Sequence, residues 1–197
     1  MSDRWIPLFP LRTVLFPDGP LPLRVFEPRY LDMVGRCMRD EGPFGVTLLL
    51  TGSEIGAATM ASVGTLARIV DWYQGSDGIL GVTAIGTERF RVTRTEQRPD
   101  GLYVGAVTPF ASEPVMSLPA DYRPMAELLR VILDELGKLY GELPRRLDDA
   151  TWVGCRFAEI LPMPLAEKQR CLELTDPLAR LRLVRPLLRS VRTETTQ

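Results

Sequence analysis

The chain has 197 residues and not one histidine. Without an imidazole it cannot form a Ser-His-Asp or Cys-His nucleophile site, or an HExxH zinc motif. Cysteine is also scarce, because Cys37, Cys155 and Cys171 are the only three and form no CxxC pair. Their wide spacing supports neither a zinc site nor a disulfide framework. We predict three reduced, buried cysteines that act as small hydrophobic residues.

Lysine is nearly absent, since the chain has two lysines, Lys138 and Lys168, compared with 22 arginines. Neither lysine belongs to a GxxxxGK[ST] phosphate loop, and neither is expected to lie desolvated beside a nucleophilic serine. Two carboxylate pairs, Asp40-Glu41 and Asp148-Asp149, lie at predicted helix ends, where acidic residues commonly cap the helix or face solvent. We therefore predict that the chain is not an enzyme and has no catalytic residue, metal or cofactor.

Long apolar runs are missing as well. No segment approaches the ~20 residues that are needed to span a bilayer. The first residues, Met1–Trp5, lack the apolar core of a signal peptide. We therefore expect a cytoplasmic protein without a membrane segment.

Neither sign of charge dominates, and the formal net charge of -1 argues against nucleic-acid binding driven by bulk positive charge. A local basic face remains a candidate. The last predicted helix contains Arg180 and four further arginines at helical spacing: Arg182, Arg185, Arg189 and Arg192. The simpler interpretation is a solvated face, and the alternative is contact with nucleic acid or an acidic partner. The same question arises for three arginines around Phe90: Arg89, Arg91 and Arg94.

The first thirty residues alternate apolar residues with prolines and then turn into a helix. Because each proline removes a ladder donor, we assign this stretch to two edge strands joined by a turn at Phe16–Gly19. A helix should follow Pro28 and end at Gly42-Pro43, with an apolar stripe that contains Leu31, Val34 and Met38. The small and polar residues Thr51–Ser62 predict a loop.

The following residues predict short strands that are separated by turns. Phe44–Leu50 is an almost fully apolar run, which is typical of a buried strand. Gly75–Gly78 and Arg98–Gly101 are turn signals, and Gly86 predicts a bulge or a sharp bend. The strands expected around them are Thr65–Tyr73, Ile79–Ile85, Thr87–Thr95 and Leu102–Phe110.

After about Pro114 the periodicity becomes helical. Apolar residues from Met125 to Tyr140 recur at i, i+3, i+4 and i+7, and Asp149–Leu161 and Leu165–Leu174 are further helical segments. Asp176-Pro177 predicts an N-cap followed by the first turn of a last helix. We therefore predict an α+β fold, with a β-rich domain over residues 1–115 and a helical bundle over residues 116–197.

Three stretches in this order resemble one family. They are the opening Ile6–Tyr30, the central strands with Gly64–Val70, Asp77-Gly78 and Gly86–Arg91, and the helical ending Ile160–Leu181. Together they resemble the N-terminal, substrate-binding domain family of Lon protease over nearly the whole chain. The resemblance implies a PUA-like pseudo-β-barrel with one helix, followed by a helical bundle. It also implies a stand-alone member, because the chain ends where that domain ends and the ATPase and serine–lysine protease parts do not follow.

The resemblance implies a non-catalytic module that binds unfolded or extended polypeptide, as an adaptor that works with a protease or chaperone. The alternative is a nucleic-acid or small-ligand module, by analogy with PUA-type barrels alone. Apolar residues at the proline-rich edge and beside a hairpin turn are the candidate peptide-binding residues: Phe16, Pro17, Pro20, Pro22, Trp72 and Tyr73. The competing interpretation is that these aromatic residues close the ends of the barrel.

Overall fold

The computed structural model describes residues 4–52, 59–111, 113–141 and 143–188. Within these ranges the chain forms two compact units, which divide after Ala111. The first unit is built mainly from strands, and the regular elements described in the second are helices. The predicted α+β fold class is therefore confirmed, with the helices following the sheet.

The first unit contains a ring-like sheet. The strands lie in the order β2-β5-β4-β3-β1-β6, and an additional pairing between β5 and β6 closes five of them into a ring. Strand β2 lies outside the ring and pairs with β5. The bounds of the elements are β1 Arg4–Leu11, β2 Pro20–Val25, α1 Pro28–Arg39, β3 Phe44–Thr51, β4 Thr59–Gln74, β5 Leu80–Gln97 and β6 Tyr103–Pro109.

Strand β5 runs without a break through Gly86, where the sequence predicts a bulge or bend. Next to this glycine the β4–β5 register shifts between the pairs Thr65–Arg89 and Ala67–Gly86, so the predicted irregularity is confirmed as a bulge. The first half of β5 pairs with β2 and the second half pairs with β6. One long strand therefore pairs with both β2 and β6, where the sequence predicted two separate strands, Ile79–Ile85 and Thr87–Thr95.

The loop predicted over Thr51–Ser62 is wrong at both ends. Thr51 belongs to β3, and β4 begins at Thr59. The two strands pair here, with Thr59 opposite Thr51 and Met60 opposite Leu49, so that pairing overrides the small and polar composition. Residues 53–58 of the predicted loop lie outside the described residues.

The prediction that the proline-rich strands are both edge strands is right for β2 and wrong for β1. Strand β1 pairs with β6 over Arg4–Leu8 and with β3 over Leu8–Leu11, and the two pairings overlap only at Leu8. Pro7 lies in the first half and Pro10 in the second, so each proline has a paired neighbour on one side only. A proline can be accommodated in such a position when its ring nitrogen, which has no hydrogen to donate, faces the unpaired side of the strand.

Helix α1 ends at Arg39, just before the predicted stop at Gly42-Pro43. Its buried face differs from the predicted stripe, because Leu31 and Met38 remain more than a third exposed. The ring of Tyr30 stacks on the ring of Phe9 in β1, with 3.9 Å between their centroids. The buried face of α1 therefore includes Tyr30, together with Met33, Val34 and Cys37.

The described residues of the second unit form five α-helices and a short 3-10 turn at Ala120–Tyr122. The predicted cap at Asp176 is confirmed, since its carboxylate accepts the N–H of Leu178. The periodicity predicted from Met125 to Tyr140 is interrupted at Gly137, whose φ is +73°. The helix bounds are α2 Arg123–Glu135, α3 Lys138–Gly141, α4 Ala150–Ile160, α5 Leu165–Glu173 and α6 Pro177–Val184. None of the helices in the described residues is long and apolar enough to cross a membrane.

The prediction of three reduced, buried cysteines is confirmed, since all three are buried and none is part of a disulfide. Cys37 lies in the first unit, and Cys155 and Cys171 lie in α4 and α5. Burial raises the pKa of the Cys37 and Cys171 thiols, because the charged thiolate loses its hydration. Both groups therefore stay protonated further into the alkaline range than an exposed thiol does.

We expect the native protein to resist thiol labelling at neutral pH and the denatured protein to react at three positions. The reactive species is the thiolate. The raised pKa keeps its population low at Cys37 and Cys171, and burial shields all three thiols from the reagent. Labelling with an aromatic disulfide reagent, with and without denaturant, measures this directly. Rapid reaction of one equivalent in the native state would contradict the assigned burial.

Candidate functional site

A groove of about 440 Å³ opens on the first unit between the end of α1 and the second half of β4. Met38 and Glu41 stand on the helix side, and the residues from Arg68 to Trp72 form the strand side. Gly42 and Cys37 complete the lining. The groove therefore lies where the helix ends and the strand continues past it.

Strand β4 has a free edge along this groove. Its pairing with β3 ends at the pair Phe44–Ala67, whereas its pairing with β5 continues to Gln74. Among the described strands, residues 68–74 therefore have a neighbour on one side only. Free strand edges of this kind can accept an added strand.

Three apolar side chains of the groove are exposed. Trp72 is 56% exposed, Val70 45% and Met38 38%. Large apolar side chains grouped on a surface often mark an interaction site. Sequence reasoning identified Trp72 but missed Met38 and Val70, because the helical pattern assigned Met38 to the core and strand alternation gave no sign that Val70 lies at a free edge.

Trp72 and Tyr73 lie on opposite faces of β4. Trp72 lines the groove, whereas the ring of Tyr73 covers its cross-strand partner Gly81, where an added Cβ would lie 2.3 Å from the ring. Tyr73 is as exposed as Trp72, at 56%, but its cross-strand contact gives it a structural role. The structure therefore does not bring the two predicted residues into one site.

The groove contains charges of both signs. Arg68 is its arginine, and Glu41 and Asp71 are its carboxylates. The Oδ1 of Asp71 accepts the main-chain N–H of Trp72 at 2.8 Å. A surface of mixed charge gives little long-range attraction to a ligand of either sign.

The expected exposure of Phe16 and Pro20 is wrong. Phe16 is fully buried and Pro20 is buried, while Pro17 is partly buried and only Pro22 is exposed. The turn that contains Phe16 folds against β5, where the N–H of Asp18 donates to the carbonyl of Gly86 and the N–H of Gly86 donates to that of Gly19. These long-range hydrogen bonds draw the apolar end of the turn into the interior.

The candidate basic face of the last helix is only partly described. Arg182 forms an exposed ion pair with Asp176, and the guanidinium of Arg185 lies over the ring of Tyr122 at 5.2 Å. Arg189 and Arg192 lie outside the described residues. Arg180, which belongs to the same helix, is fully buried and pairs with Glu113, so it is not part of any surface.

The arginines beside Phe90 cover aromatic rings rather than leaving them free. Arg89 and Arg91 both lie over the ring of Phe110, within 5.1 Å of its centroid, and Arg94 lies over the ring of Trp5. Arg89 is also buried and donates to the carbonyl of Ala111. Bases stack on open aromatic faces, so this arrangement does not favour a nucleic-acid platform.

Lys168 is partly desolvated, which the sequence did not predict. Burial lowers its pKa, although the charge of Glu159 acts in the opposite direction. Its Nζ donates to the main-chain carbonyl of Glu159 at 2.5 Å, so its partner is a structural carbonyl and not a nucleophilic serine. The carboxylate of Asp149 accepts the N–H of Thr151 as an N-cap of α4. No cluster of cysteine and carboxylate side chains in the described ranges could hold a metal ion.

Together these features describe an α+β protein in which the ring-like sheet of the first unit has an apolar groove beside a free edge of β4. Comparison with known proteins gives the family. The model of the ATP-dependent protease La (LON) substrate-binding domain matches residues 5–190. The chain therefore belongs to the Lon substrate-binding domain family, as the sequence motifs predicted.

Similar proteins agree with this assignment. Lon protease 2 of Myxococcus xanthus is 30% identical over 93% of this chain, and Lon protease of Escherichia coli K12 is 25% identical over 94%. The crystal structure of a Lon N-terminal domain protein from Xanthomonas campestris has a TM-score of 0.76 at 38% identity and covers 91% of this chain and 96% of that one. The N-terminal domain of Mycobacterium avium complex Lon protease has the same fold, with a TM-score of 0.64 at 15% identity, and covers 93% of this chain and 97% of that one.

The similarity to the full-length proteases covers one part of each. This chain spans 23% of the Myxococcus xanthus protein and 24% of the Escherichia coli protein. The matched part is the N-terminal, substrate-binding domain and not the ATPase or protease regions. The similarity therefore gives no protease chemistry to this chain.

Proposed function

We propose that this chain is a non-catalytic module that binds extended segments of unfolded polypeptide, and that the groove between α1 and β4 is the binding site. The single observation that carries the proposal is the exposed apolar group at a free strand edge: Met38, Val70 and Trp72. Membership of a substrate-binding domain family supports the same class of ligand.

The groove suits an extended segment rather than a folded partner. Its lining has a helix end on one side and five consecutive strand residues on the other. Apolar contacts are non-directional, so they accept many sequences. The mixed charges of Arg68, Glu41 and Asp71 add no strong preference for ligand charge. We therefore expect weak, sequence-tolerant binding that changes little with salt.

The adaptor role is the further part of this proposal. A module that holds unfolded polypeptide reversibly can present it to a protease or chaperone. Such a partner would have to bind a surface other than the groove. Pull-down from the cell extract, with the groove blocked by polypeptide, would test for this second contact.

Replacing Trp72 or Met38 by aspartate should weaken polypeptide binding by at least tenfold. Each change places a charge in the apolar part of the groove, where an apolar side chain of the ligand would bury it. The measurement is fluorescence anisotropy with a labelled, reduced and carboxymethylated secreted protein, which cannot refold without its disulfides. Phe16 is unsuitable for this test, because a charge at a fully buried position would unfold the protein.

Leu50→Asp is the matched control. Leu50 is 54% exposed in the same unit, almost the same fraction as Trp72, and does not line the groove. We expect Leu50→Asp to bind like the wild type. Equal affinities of all three variants would exclude the groove as the site. Binding of a single-stranded RNA that is lost with salt would instead support a nucleic-acid module.

A further inference from the structure

The free edge of β4 exposes only a short set of backbone groups. In an antiparallel pair, alternate residues direct both their N–H and their C=O toward the partner strand, and those between them direct both outward. The N–H of Gly75 donates to the carbonyl of Ile79 in the hairpin. Counting back along β4, Tyr73 and Asp71 also face β5, opposite Gly81 and Thr83. Trp72 and Gln74 therefore face the free edge.

A register shift at Val70 marks the N-terminal end of the regular part of this free edge. Ile69 pairs with Ala84 and Asp71 with the adjacent Thr83, so Val70 is an extra residue and the ladder is irregular there. An incoming strand that follows the regular part of β4 can reach the backbone of Trp72 and Gln74. Its first donor on this edge is the N–H of Trp72.

That donor is already occupied. The Oδ1 of Asp71 accepts the N–H of Trp72 at 2.8 Å, in the position that a carbonyl of an incoming strand would take. The contact is exposed, so the carboxylate can be displaced, but displacement exchanges one hydrogen bond for another. Native proteins commonly protect strand edges with charged residues and bulges, and Asp71 and Val70 combine both devices at this edge.

We propose that Asp71 restricts how the groove holds polypeptide. By occupying the N–H of Trp72, its carboxylate makes strand pairing of a bound segment along β4 less favourable, because the carboxylate must first be displaced. The segment is then held mainly by its side chains against Trp72, Val70 and Met38, and it is released readily. This inference rests on the proposed function and assigns to Asp71 a role in specificity that is separate from the apolar contacts.

Two substitutions of Asp71 separate its hydrogen bond from its charge. Asp71→Ala removes the acceptor and frees the N–H of Trp72, whereas Asp71→Asn removes the charge and keeps a side-chain carbonyl in its place. One additional backbone hydrogen bond corresponds to about a fivefold change in affinity. We expect Asp71→Ala to bind a short synthetic peptide of alternating leucine and threonine about fivefold more tightly than the wild type. Asp71→Asn should stay within about twofold of the wild type.

A modified peptide provides the matched ligand control. The same peptide with every backbone amide N-methylated cannot pair as a strand, because its methyl groups block both edges, but it keeps its side chains. Asp71→Ala should gain no affinity for it. Circular dichroism melting of each variant checks that the exposed substitutions leave the fold intact.

The outcomes distinguish this inference from the proposed function. Equal affinities of wild type, Asp71→Ala and Asp71→Asn would overturn the role of Asp71, and so would an equal gain in both variants, which would indicate an effect of charge. Weaker binding by Asp71→Ala would also overturn it, because Asp71 would then contact the ligand directly. The proposed function fails separately, if Trp72→Asp binds the peptide as well as the wild type does.

Discussion

Replacing Arg180 by alanine is expected to lower the free energy of unfolding of the second, helical unit by about 3–5 kcal/mol. The side chain of Arg180 is fully buried, and the side chain of its partner Glu113 is 5% exposed. Two guanidinium nitrogens donate to the two carboxylate oxygens of Glu113 at 2.7 and 2.6 Å. The same guanidinium also donates to the carbonyls of Cys171 and Leu174, each at 2.8 Å.

The large cost follows from what the substitution leaves behind. Without Arg180, the carboxylate of Glu113 is a buried charge with its main partner removed, and two main-chain carbonyls lose a donor. A cavity also remains beside Gly154, whose position lies within contact distance of the Arg180 stem. Since whole domains are stable by only about 5–15 kcal/mol, this single change removes a large fraction of the stability.

Arg182→Ala is the matched control on the same helix. Arg182 is 60% exposed, and its ion pair with Asp176 is open to solvent. Exposed pairs contribute about 0–1 kcal/mol, so this variant should unfold at nearly the same denaturant concentration as the wild type. Urea unfolding followed by the helical circular dichroism signal compares the two. Similar losses in both variants would contradict a special role for the buried pair.

Replacing Gly86 by alanine is expected to lower the free energy of unfolding of the first unit by about 3 kcal/mol, toward the upper end of the usual cost of overpacking. An added Cβ at this position would lie 2.2 Å from the carbonyl oxygen of Phe16. That oxygen belongs to the backbone and cannot rotate away. The turn at Phe16–Gly19 would have to move, and with it the hydrogen bonds from Asp18 to Gly86 and from Gly86 to Gly19.

Gly35→Ala is the matched control in the same unit. Gly35 lies inside α1, and the nearest atom to an added Cβ is the end of the flexible Arg39 side chain, at 3.8 Å. Alanine is favoured over glycine in a helix by about 0.5–1 kcal/mol, so this variant should be slightly more stable. Chemical unfolding of both variants measures the contrast. A Gly86→Ala protein as stable as Gly35→Ala would show that the turn does not pack against β5 as described.

The candidate site was only partly accessible to sequence reasoning. Trp72 was predicted from its place before a hairpin turn, which is a local signal. Val70 was missed because its exposure depends on where β3 stops pairing with β4. Met38 was missed because its helical spacing from Leu31 and Val34 assigned it to the buried face. Phe16 was predicted to be exposed from the surrounding prolines, but the turn that contains it folds against β5. The role of Asp71 depends on the outward direction of one N–H, which no pattern of residue types reveals.

The sequence by itself determined the order and type of the main elements, the cap at Asp176, the irregularity at Gly86 and the family, because each depends on neighbouring residues or on motifs along the chain. Only the tertiary structure decided which strands close the ring, which edge of β4 stays free, and that Arg180 is buried while Arg182 is exposed. The physical reason is that burial and pairing depend on contacts between distant residues. Arg180 and Glu113 are 67 positions apart, and local periodicity carries no record of such a partner.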